Sequence, residues 1–489
     1  MSREDHIVRG FKATLLARAI YMLSSALLMF VLARYLLDPD GYGTLYWVIG
    51  ILAMVRLVAD LGIGKSAARY LSEYREDDPG QIPHLLRSTI TFKIVIMALV
   101  GYLLLVFHEQ LAAALGRPDA APFLAAGVLY IAVFSFSTFT EIAFQGFNHL
   151  PYSAAVRAIS GFSRLVFAVG FVLMGLGALG AFFGYVVGYA LSAAVGLAVL
   201  YYAFYARYDA AETHEEGLTR RMIEYSVPLT ATRSANVIDK QVDTVLVGVI
   251  LTPTAVAFYT LGKQITDFVL APAESLGFTI SPNFGEQKAS NQLEQARQIY
   301  ETALTNTMMV YIPAAAGLVI VADPFIPMVI GAEYAGAVPV LQVLAAFIIL
   351  QAITNLTSDS LDYLGRARHR AIAKGGTAVA NFLLNLVLIP TVGVVGAAIA
   401  TVATHSVYVA VNLYIVHLEL ELRLKRLARS IGVICVITGI MAGAVLLVTP
   451  LVSSLVMLVG AIALGTVTWA VLVVASGLVD PNEVRAAIT

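Results

Sequence analysis

The sequence predicts an all-α integral membrane protein with about 14 transmembrane helices. Of its 489 residues 59% are hydrophobic and only 13% are charged, and the mean hydropathy is +0.81. An average soluble domain carries about 25% charged residues, so this chain has too little charge to cover a water-exposed surface. Its apolar residues come in long runs without the alternation of a β-barrel, and this pattern favours helices.

Runs of about 20 mostly apolar residues, the length that a membrane-spanning helix needs, recur along the whole chain. Breaks rich in turn-forming residues separate them, as at 38–43 (DPDGYG) and 252–253 (TP). The first run is too long for the apolar core of a cleavable signal peptide, so we expect it to be the first span. We predict fourteen spans, at 12–37, 42–62, 84–108, 121–147, 152–175, 179–205, 222–250, 254–281, 299–322, 333–357, 369–390, 393–418, 427–448 and 451–477.

The distribution of Lys and Arg predicts the orientation. When the N-terminus is assigned to the cytoplasm, 22 of the 31 Lys and Arg fall in cytoplasmic segments, and a single one, Arg117, falls in an outside loop. Cytoplasmic loops carry an excess of Lys and Arg, and a missed or invented span would destroy this bias. We therefore expect an even number of spans in the plasma membrane, with the N- and C-termini both cytoplasmic.

The two halves of the sequence resemble each other. The link at 37–44 (LDPDGYGT) matches 251–258 (LTPTAVAF) at an offset of 214, and 177–181 (GALGA) matches 393–397 (GVVGA) at an offset of 216. An offset of six spans preserves the orientation, so the repeats are parallel and are related by an axis along the membrane normal. We predict a six-helix lobe at 1–210, a second six-helix lobe at 211–420, and two further helices with a cytoplasmic tail at 421–489.

Composition and motifs exclude several function classes. A net charge of −1 makes nucleic acid an improbable partner. The single cysteine, Cys435, cannot form an internal disulfide, and no Cys/His cluster indicates a metal. The sequence GKS at 64–66 resembles the end of a nucleotide-binding loop, but that loop needs a glycine five residues earlier, and Ala59 stands there. We expect no cofactor, no metal and no catalytic residue, and hence no enzyme.

Charged residues inside the predicted spans point to function, because a charge at the bilayer centre costs about 2.5–3.5 kcal/mol. In span seven, Arg233, Lys240 and Asp243 fall at i, i+7 and i+10, on one face of the helix. Arg18 and Arg233 lie nearly the same number of residues before the matching Pro39 and Pro253. The two arginines therefore hold nearly equivalent places in the two repeats.

Spans two and eight each carry an i, i+4 pair of opposite charge, Arg56 with Asp60 and Lys263 with Asp267. Each pair could neutralise itself along its own helix, or its charges could face a water-filled space, and the sequence leaves both interpretations open. Lys93 in span three is expected to extend towards the cytoplasmic surface. We predict that spans one, two, seven and eight line a cationic cavity suited to a phosphate-bearing substrate.

These observations yield two sets of candidate residues. The predicted substrate-binding residues are Arg18, Arg56, Arg233, Lys263, Arg164 and Lys240. The predicted binding residues for a coupling H⁺ or Na⁺ are Asp60, Asp239, Asp243 and Asp267.

The layout resembles the superfamily of multidrug, oligosaccharidyl-lipid and polysaccharide exporters, particularly its polysaccharide-flippase branch and the lipid II flippase. The resemblance rests on DPDGYG after span one, on DLGIG at 60–64 and on Gly365-Arg366 before span eleven. It implies alternating access through a cationic cavity, with Arg18, Arg56, Arg233 and Lys263 at matching helix positions. It also implies that the last two helices, at about 427–477, help to form a groove for a lipid.

We therefore expect a monomeric transporter that moves a lipid-linked oligosaccharide from the cytoplasmic to the outer leaflet, among membrane lipids. One alternative is a cation-coupled multidrug or toxic-compound efflux transporter of the same fold, which would favour an acidic or aromatic cavity. A second is a membrane-embedded glycan polymerase or ligase. Such enzymes need a large outside loop, and the longest outside links, at 109–120 and 323–332, are short.

Overall fold

The computed structural model describes residues 3–213, 215, 217–289 and 293–478. The side chains at 3–13, 219, 229, 231–233, 273–289, 359 and 363 lie outside this description. The described residues contain α-helices, short π- and 3-10-helical turns and connecting loops, and no β-strand occurs among them.

The α-helices number 15 within the described residues. They are α1 (Arg3–Val31), α2 (Pro39–Asp60), α3 (Ile63–Asp77), α4 (Ile82–Ala114), α5 (Ala121–Gly146), α6 (Leu150–Phe171), α7 (Gly177–Ala203), α8 (Leu218–Ile250), α9 (Pro253–Ala289), α10 (Leu293–Phe325), α11 (Ala337–Tyr363), α12 (Ala367–Val392), α13 (Val394–Leu420), α14 (Leu424–Val448) and α15 (Leu455–Ala475). Apart from α3, each corresponds to one predicted span.

The all-helical membrane fold predicted from the sequence is confirmed. Eleven helical segments of the described residues are long and apolar enough to cross a membrane. One of them, Leu150–Arg207, is interrupted at Gly175 (φ 88°) and comprises both α6 and α7. The helices α8 and α9, of 33 and 37 residues, fall outside this apolar set, and both carry charged residues. The chain is a multi-pass membrane protein, and the predicted number of fourteen spans is approximate.

The helix α3 was missed by the sequence analysis, which assigned its residues to a cytoplasmic link. Its buried residues include Ile63, Ala67, Tyr70, Leu71 and Tyr74. They recur at the spacing of one helical face, whereas its other residues are mostly polar. At 15 residues α3 is too short to cross a membrane. It instead packs against α4, α5 and α8.

The two similar links of the sequence form similar helix starts. Before α2, the Asp38 side chain accepts a 2.9 Å hydrogen bond from the backbone N–H of Gly41, and Pro39 occupies the first helical turn. Before α9, the Thr252 hydroxyl accepts a 3.2 Å hydrogen bond from the Ala255 N–H. The predicted link at 38–43 is therefore mostly the first turn of α2, because an N-cap followed by proline begins a helix.

By their internal contacts the residues divide into two units, Met1–Val256 and Ala257–Thr489. In the first unit, α6 packs closely against both α1 and α7, and α2 packs against α8. The packing of α6 against α7 needs glycine, since a Cβ on Gly184 of α7 would lie 2.2 Å from the Cα of Ala168 of α6. In the second unit, α13 packs against α11 and α12, and α14 packs against α10 and α15. The division at 210 and 420 stays a prediction.

The linker between α7 and α8 is bound to the first unit near α3. The amide of Gln81 donates a 3.0 Å hydrogen bond to the Thr213 carbonyl. The Glu215 carboxylate accepts hydrogen bonds from the Tyr74 hydroxyl and from Arg221, the latter at 2.5 Å. Burial and the bond to Glu215 raise the pKa of the Tyr74 phenol, so the hydroxyl keeps its proton and donates at neutral pH. The start of α8 is therefore held to α3 by its own preceding linker.

Candidate functional site

A row of cations and aromatic rings crosses the interior of the first unit. On α2, the half-buried Arg56 places its guanidinium carbon 3.7 Å from the ring centroid of Phe134 on α5. The Phe134 centroid lies 4.5 Å from that of Tyr189 on α7. The guanidinium of Arg164 on α6 lies 5.0 Å from Tyr189 and 4.9 Å from Tyr21 on α1. We call these five residues, Arg56, Phe134, Tyr189, Arg164 and Tyr21, the arginine–aromatic row.

The inner arginine of the row, Arg164, is 6% exposed. Its guanidinium also lies 5.3 Å from the ring of Tyr185, and its Nε donates a 3.0 Å hydrogen bond to the Ser160 carbonyl. A desolvated cation over an aromatic face gains about 2 kcal/mol, which offsets part of the cost of burial. Because three tyrosine rings enclose it, the Arg164 guanidinium is less accessible than the half-buried Arg56.

Local packing explains why Arg164 meets two tyrosines of α7. Tyr185 and Tyr189 are four residues apart and share one face of that helix. Gly188 lies between them, and a Cβ there would be 2.7 Å from the Arg164 backbone nitrogen. Its missing side chain lets α6 approach closely, so the Arg164 side chain extends across the tyrosine face.

A buried ion pair lies next to the row. Lys93 on α4 is 2% exposed, and its Nζ donates hydrogen bonds to Asp60 Oδ1 at 2.6 Å and to Ser135 Oγ at 2.7 Å. Ser135 also donates a hydrogen bond to Asp60. The expectation that Lys93 extends towards the cytoplasmic surface was wrong, because α2, α4 and α5 enclose it and Asp60 neutralises it.

The self-neutralising interpretation of Arg56 and Asp60 is also wrong. The carboxylate of Asp60 pairs with Lys93 from another helix, although Arg56 lies one turn away on its own helix. Within the described residues Arg56 forms no ion pair, and its guanidinium faces Phe134 instead. Among the described residues, the half-buried Arg56 is therefore a cation that contacts an aromatic ring and no carboxylate within ion-pair distance.

The other predicted residues lie on three helices. Arg18 is half-buried on α1, one turn before Tyr21, and Lys263 is half-buried on α9. The side chain of Arg233 on α8 lies outside the described residues. The remaining candidates differ in burial: Lys240 and Asp267 are exposed, Asp239 is half-buried, and Asp243 is buried. Their roles in substrate binding and ion coupling stay predictions.

The helix α8 belongs to the same unit as the arginine–aromatic row and packs against α2, which carries Arg56. The Trp47 indole N–H on α2 donates a 3.1 Å hydrogen bond to the Val245 carbonyl on α8. A Cβ on Gly248 would lie 2.1 Å from the Trp47 ring, so glycine makes room for the indole. The charged stripe of α8, which includes Asp243, is thereby carried on a helix packed against the Arg56 helix.

The sequence analysis missed the aromatic half of the site. Phe134, Tyr185 and Tyr189 lie in apolar spans, where aromatic side chains are ordinary packing residues. The i, i+4 spacing of the two tyrosines was a weak signal of a shared face. Their partner on α6 could not be read from that spacing.

No group of three or more His, Cys, Asp or Glu side chains with metal-binding geometry occurs among the residues that the structure describes. The described part of the site consists of cations and aromatic rings, together with the Lys93–Asp60 pair.

The amino-acid sequence matches the models of two known protein families. A family model described as "Polysaccharide biosynthesis protein" matches residues 7–277, more than half of the chain. The chain belongs to this family. A second model, described as MatE, matches residues 228–387.

Two curated relatives of this family member carry informative names. The "Probable low-salt glycan biosynthesis flippase Agl15" of Haloferax volcanii is 24% identical over 409 residues, which cover 83% of this chain and 82% of the relative. The "Lipopolysaccharide biosynthesis protein WzxC" of Escherichia coli is 22% identical over 369 residues, covering 73% and 69%.

Solved structures share the fold. The lipid II flippase MurJ, in an inward closed conformation, superposes with a TM-score of 0.77 at 16% identity, covering 96% of this chain and 98% of that one. An inward-facing multidrug resistance MATE family transporter superposes with a TM-score of 0.66 at 14% identity, covering 84% and 95%. These likenesses show the fold, and the two family-model matches confirm the expected membership of the exporter superfamily.

Proposed function

We propose that this protein flips a lipid-linked oligosaccharide from the cytoplasmic to the outer leaflet of the plasma membrane by alternating access. The observation that carries the proposal is Arg56, a cation in the interior of a membrane bundle that forms no ion pair within the described residues. Asp60, the nearest acid along its helix, is already paired with Lys93. The names of the Haloferax volcanii and Escherichia coli relatives support a glycan-related cargo.

The phosphate or pyrophosphate of the carrier lipid is the group that this site would recognise. A guanidinium binds two phosphate oxygens at once, and such charge-assisted bonds are the strong ones. Arg56 and Arg18 would contact the phosphate in the first unit, with Arg233 and Lys240 of the same unit as further cations. Lys263, which belongs to the second unit, stays a substrate-binding candidate from the sequence. Arg164 would hold Tyr189 and Tyr21 in place, and so fix the ring on which Arg56 rests.

The remaining parts of the proposal concern orientation and energy. Both termini would be cytoplasmic, as the distribution of Lys and Arg predicts. The protein would be a monomeric transporter without enzymatic activity, driven by substrate supply or by H⁺ or Na⁺. Among the candidate carboxylates, Asp60 is bound to Lys93, so a coupling ion would have to displace that ammonium. Asp60, Asp239, Asp243 and Asp267 all stay candidates for ion coupling.

The second candidate function is cation-coupled multidrug efflux, which the MatE match at 228–387 favours. A cationic drug would meet the half-buried Arg56, with Arg164 further along the same row. Like charges in a poorly solvated site repel, so this row disfavours such a cargo. The flippase hypothesis therefore stays the leading one.

Arg56→Gln tests the proposal directly. The purified variant is reconstituted in vesicles with a short-chain lipid pyrophosphate that bears a fluorescent oligosaccharide, and an impermeant quencher reports its movement between leaflets. We expect the rate to fall at least about tenfold, because a hydrogen bond to a charged group contributes about 1.5–3 kcal/mol.

Arg220→Gln is the matched control, since Arg220 is exposed and pairs with Glu224 at 2.8 Å. Its transport rate should equal that of the wild type. Unchanged transport in Arg56→Gln would overturn the role of the row. Transport of a lipophilic cation, without movement of the lipid pyrophosphate, would favour the efflux function instead.

A further inference from the structure

One face of α11 in the second unit carries a neutral polar stripe. Gln351, Thr354, Asn355 and Ser358 fall at i, i+3, i+4 and i+7, and all four are half-buried. The opposite face is apolar and buried, as at Leu356. Amide groups that face hydrocarbon without partners are costly, so we expect the polar atoms of this stripe that lack a protein partner to meet water or a polar solute.

The side chains of the stripe are already arranged by hydrogen bonds. The Gln351 amide donates a 2.9 Å bond to the Asn355 side-chain oxygen. The Thr354 hydroxyl lies 3.0 Å from Nε2 of His405 on α13, and His405 is 7% exposed. Within the described part of the chain, no contact occupies the Gln351 side-chain oxygen or the Asn355 amide N–H groups. One acceptor and a pair of donors therefore remain for a solute, held in fixed positions.

An aromatic ring completes this surface. Phe347, one turn before Gln351, is half-buried, and its centroid lies 4.8 Å from the His405 ring. On the far side of His405, the Tyr408 ring lies 5.5 Å from the His405 ring, and the Lys374 ammonium of α12 lies 5.1 Å from Tyr408. The four described side chains of the stripe include neither a carboxylate nor a guanidinium, and the side chain of Asp359, one turn after Asn355, lies outside the described residues.

This combination matches the chemistry of a neutral sugar. A hexose has an apolar C–H face that can stack on an aromatic ring, and hydroxyls that both donate and accept hydrogen bonds. Amides supply both donors and acceptors at fixed positions, and they leave no net charge to repel or trap the ligand. A phosphate, in contrast, would favour a cationic surface.

We infer that Phe347, Gln351, Thr354 and Asn355, with His405 behind them, bind neutral hexose rings of the transported oligosaccharide. The inference rests on the proposed flippase function and extends it, since it assigns the saccharide part of the cargo to α11. The lipid phosphate is recognised by other residues, so the two recognitions can be separated by experiment.

The experiment uses the full chain in lipid nanodiscs and two probes. One probe is a short-chain polyprenyl pyrophosphate, and the other is the same lipid bearing a neutral disaccharide. The double variant Gln351→Ala/Asn355→Ala should bind the glycosylated probe about tenfold more weakly by thermophoresis, and the sugar-free probe with unchanged affinity. Phe347→Leu, which keeps an apolar side chain but removes the ring, should show the same selective loss.

Gln342→Ala is the matched control, because Gln342 lies on the same helix and donates to the Val319 carbonyl at 3.2 Å. It should bind both probes as the wild type does. The inference is overturned if the double variant and Phe347→Leu, both eluting as folded protein, keep full affinity for the glycosylated probe or lose both probes equally. If the wild type binds neither probe, the proposed flippase function itself fails.

Discussion

The two units differ in the polar side chains that they hold between their membrane helices. The difference lies between the interior of the first unit and the α11–α13 part of the second. The first uses charges, in the arginine–aromatic row, in the Lys93–Asp60 pair, and in Arg157, whose Nε lies 3.0 Å from Glu141. The second uses neutral groups, such as Asn381 and His405. The two parts therefore differ in the kind of polar group that they enclose.

The physical consequence is a difference in tolerance. A buried charge that loses its partner leaves a large uncompensated desolvation cost. A buried amide that loses one partner leaves a much smaller cost, because other donors and acceptors can be found in the bundle. The first unit should therefore fail abruptly when its pairs are broken, and the second should fail gradually.

Lys93→Met should give the largest effect. The substitution leaves Asp60 buried without its cation, and breaking such a pair typically costs about 3–5 kcal/mol. Thermal unfolding in detergent, followed by size-exclusion chromatography, measures the loss. The double variant Lys93→Met/Asp60→Asn should recover most of it, since both charges are then removed. A Lys93→Met protein as stable as the wild type would show that the pair contributes little, and would remove the contrast between the units.

Arg164→Met should have an intermediate effect of about 1–2 kcal/mol, because a desolvated cation over aromatic rings is lost while the volume is largely kept. We also expect a few-fold slower transport, since Tyr189 supports Phe134 under Arg56. Arg164→Lys keeps the charge but lacks the planar guanidinium, so it should recover only part of both losses. Wild-type stability and transport in Arg164→Met would mean that the inner part of the row is dispensable.

Asn381→Leu should have the smallest effect. Asn381 on α12 donates to Thr404 on α13 at 3.4 Å and accepts from Asn385 at 2.9 Å. Neutral interhelical bonds of this kind contribute about 0.6 kcal/mol on average in membrane proteins. The same unfolding assay should place this variant close to the wild type. A loss as large as that of Lys93→Met would contradict the comparison.

Much of the fold could be predicted from the sequence because membrane spans depend on local composition. The predicted span at 121–147 corresponds to α5, Ala121–Gly146, and that at 393–418 corresponds to α13, Val394–Leu420. The helix α3 was missed because its half-polar residues resemble those of a cytoplasmic link. In the structure the apolar face of α3 is buried, and the helix packs against α4 and α5.

The candidate site was only partly predictable. The presence of cations within spans was evident, and Arg56 and Arg164 do lie in one row. Their surroundings were not evident, because Phe134 and Tyr189 look like ordinary apolar residues of a span. Contacts between helices that are distant in sequence bring Phe134 and Tyr189 next to the two arginines.

The sequence by itself determined that the chain crosses the membrane many times and carries charges within its spans, because hydrophobicity and the cost of a buried charge act on each segment separately. Tertiary structure alone decided that Asp60 pairs with Lys93 from another helix and that Arg56 faces Phe134. The physical reason is that an ion pair forms between the groups that packing brings together. In a bundle of long helices, neighbours in space are seldom neighbours along the chain.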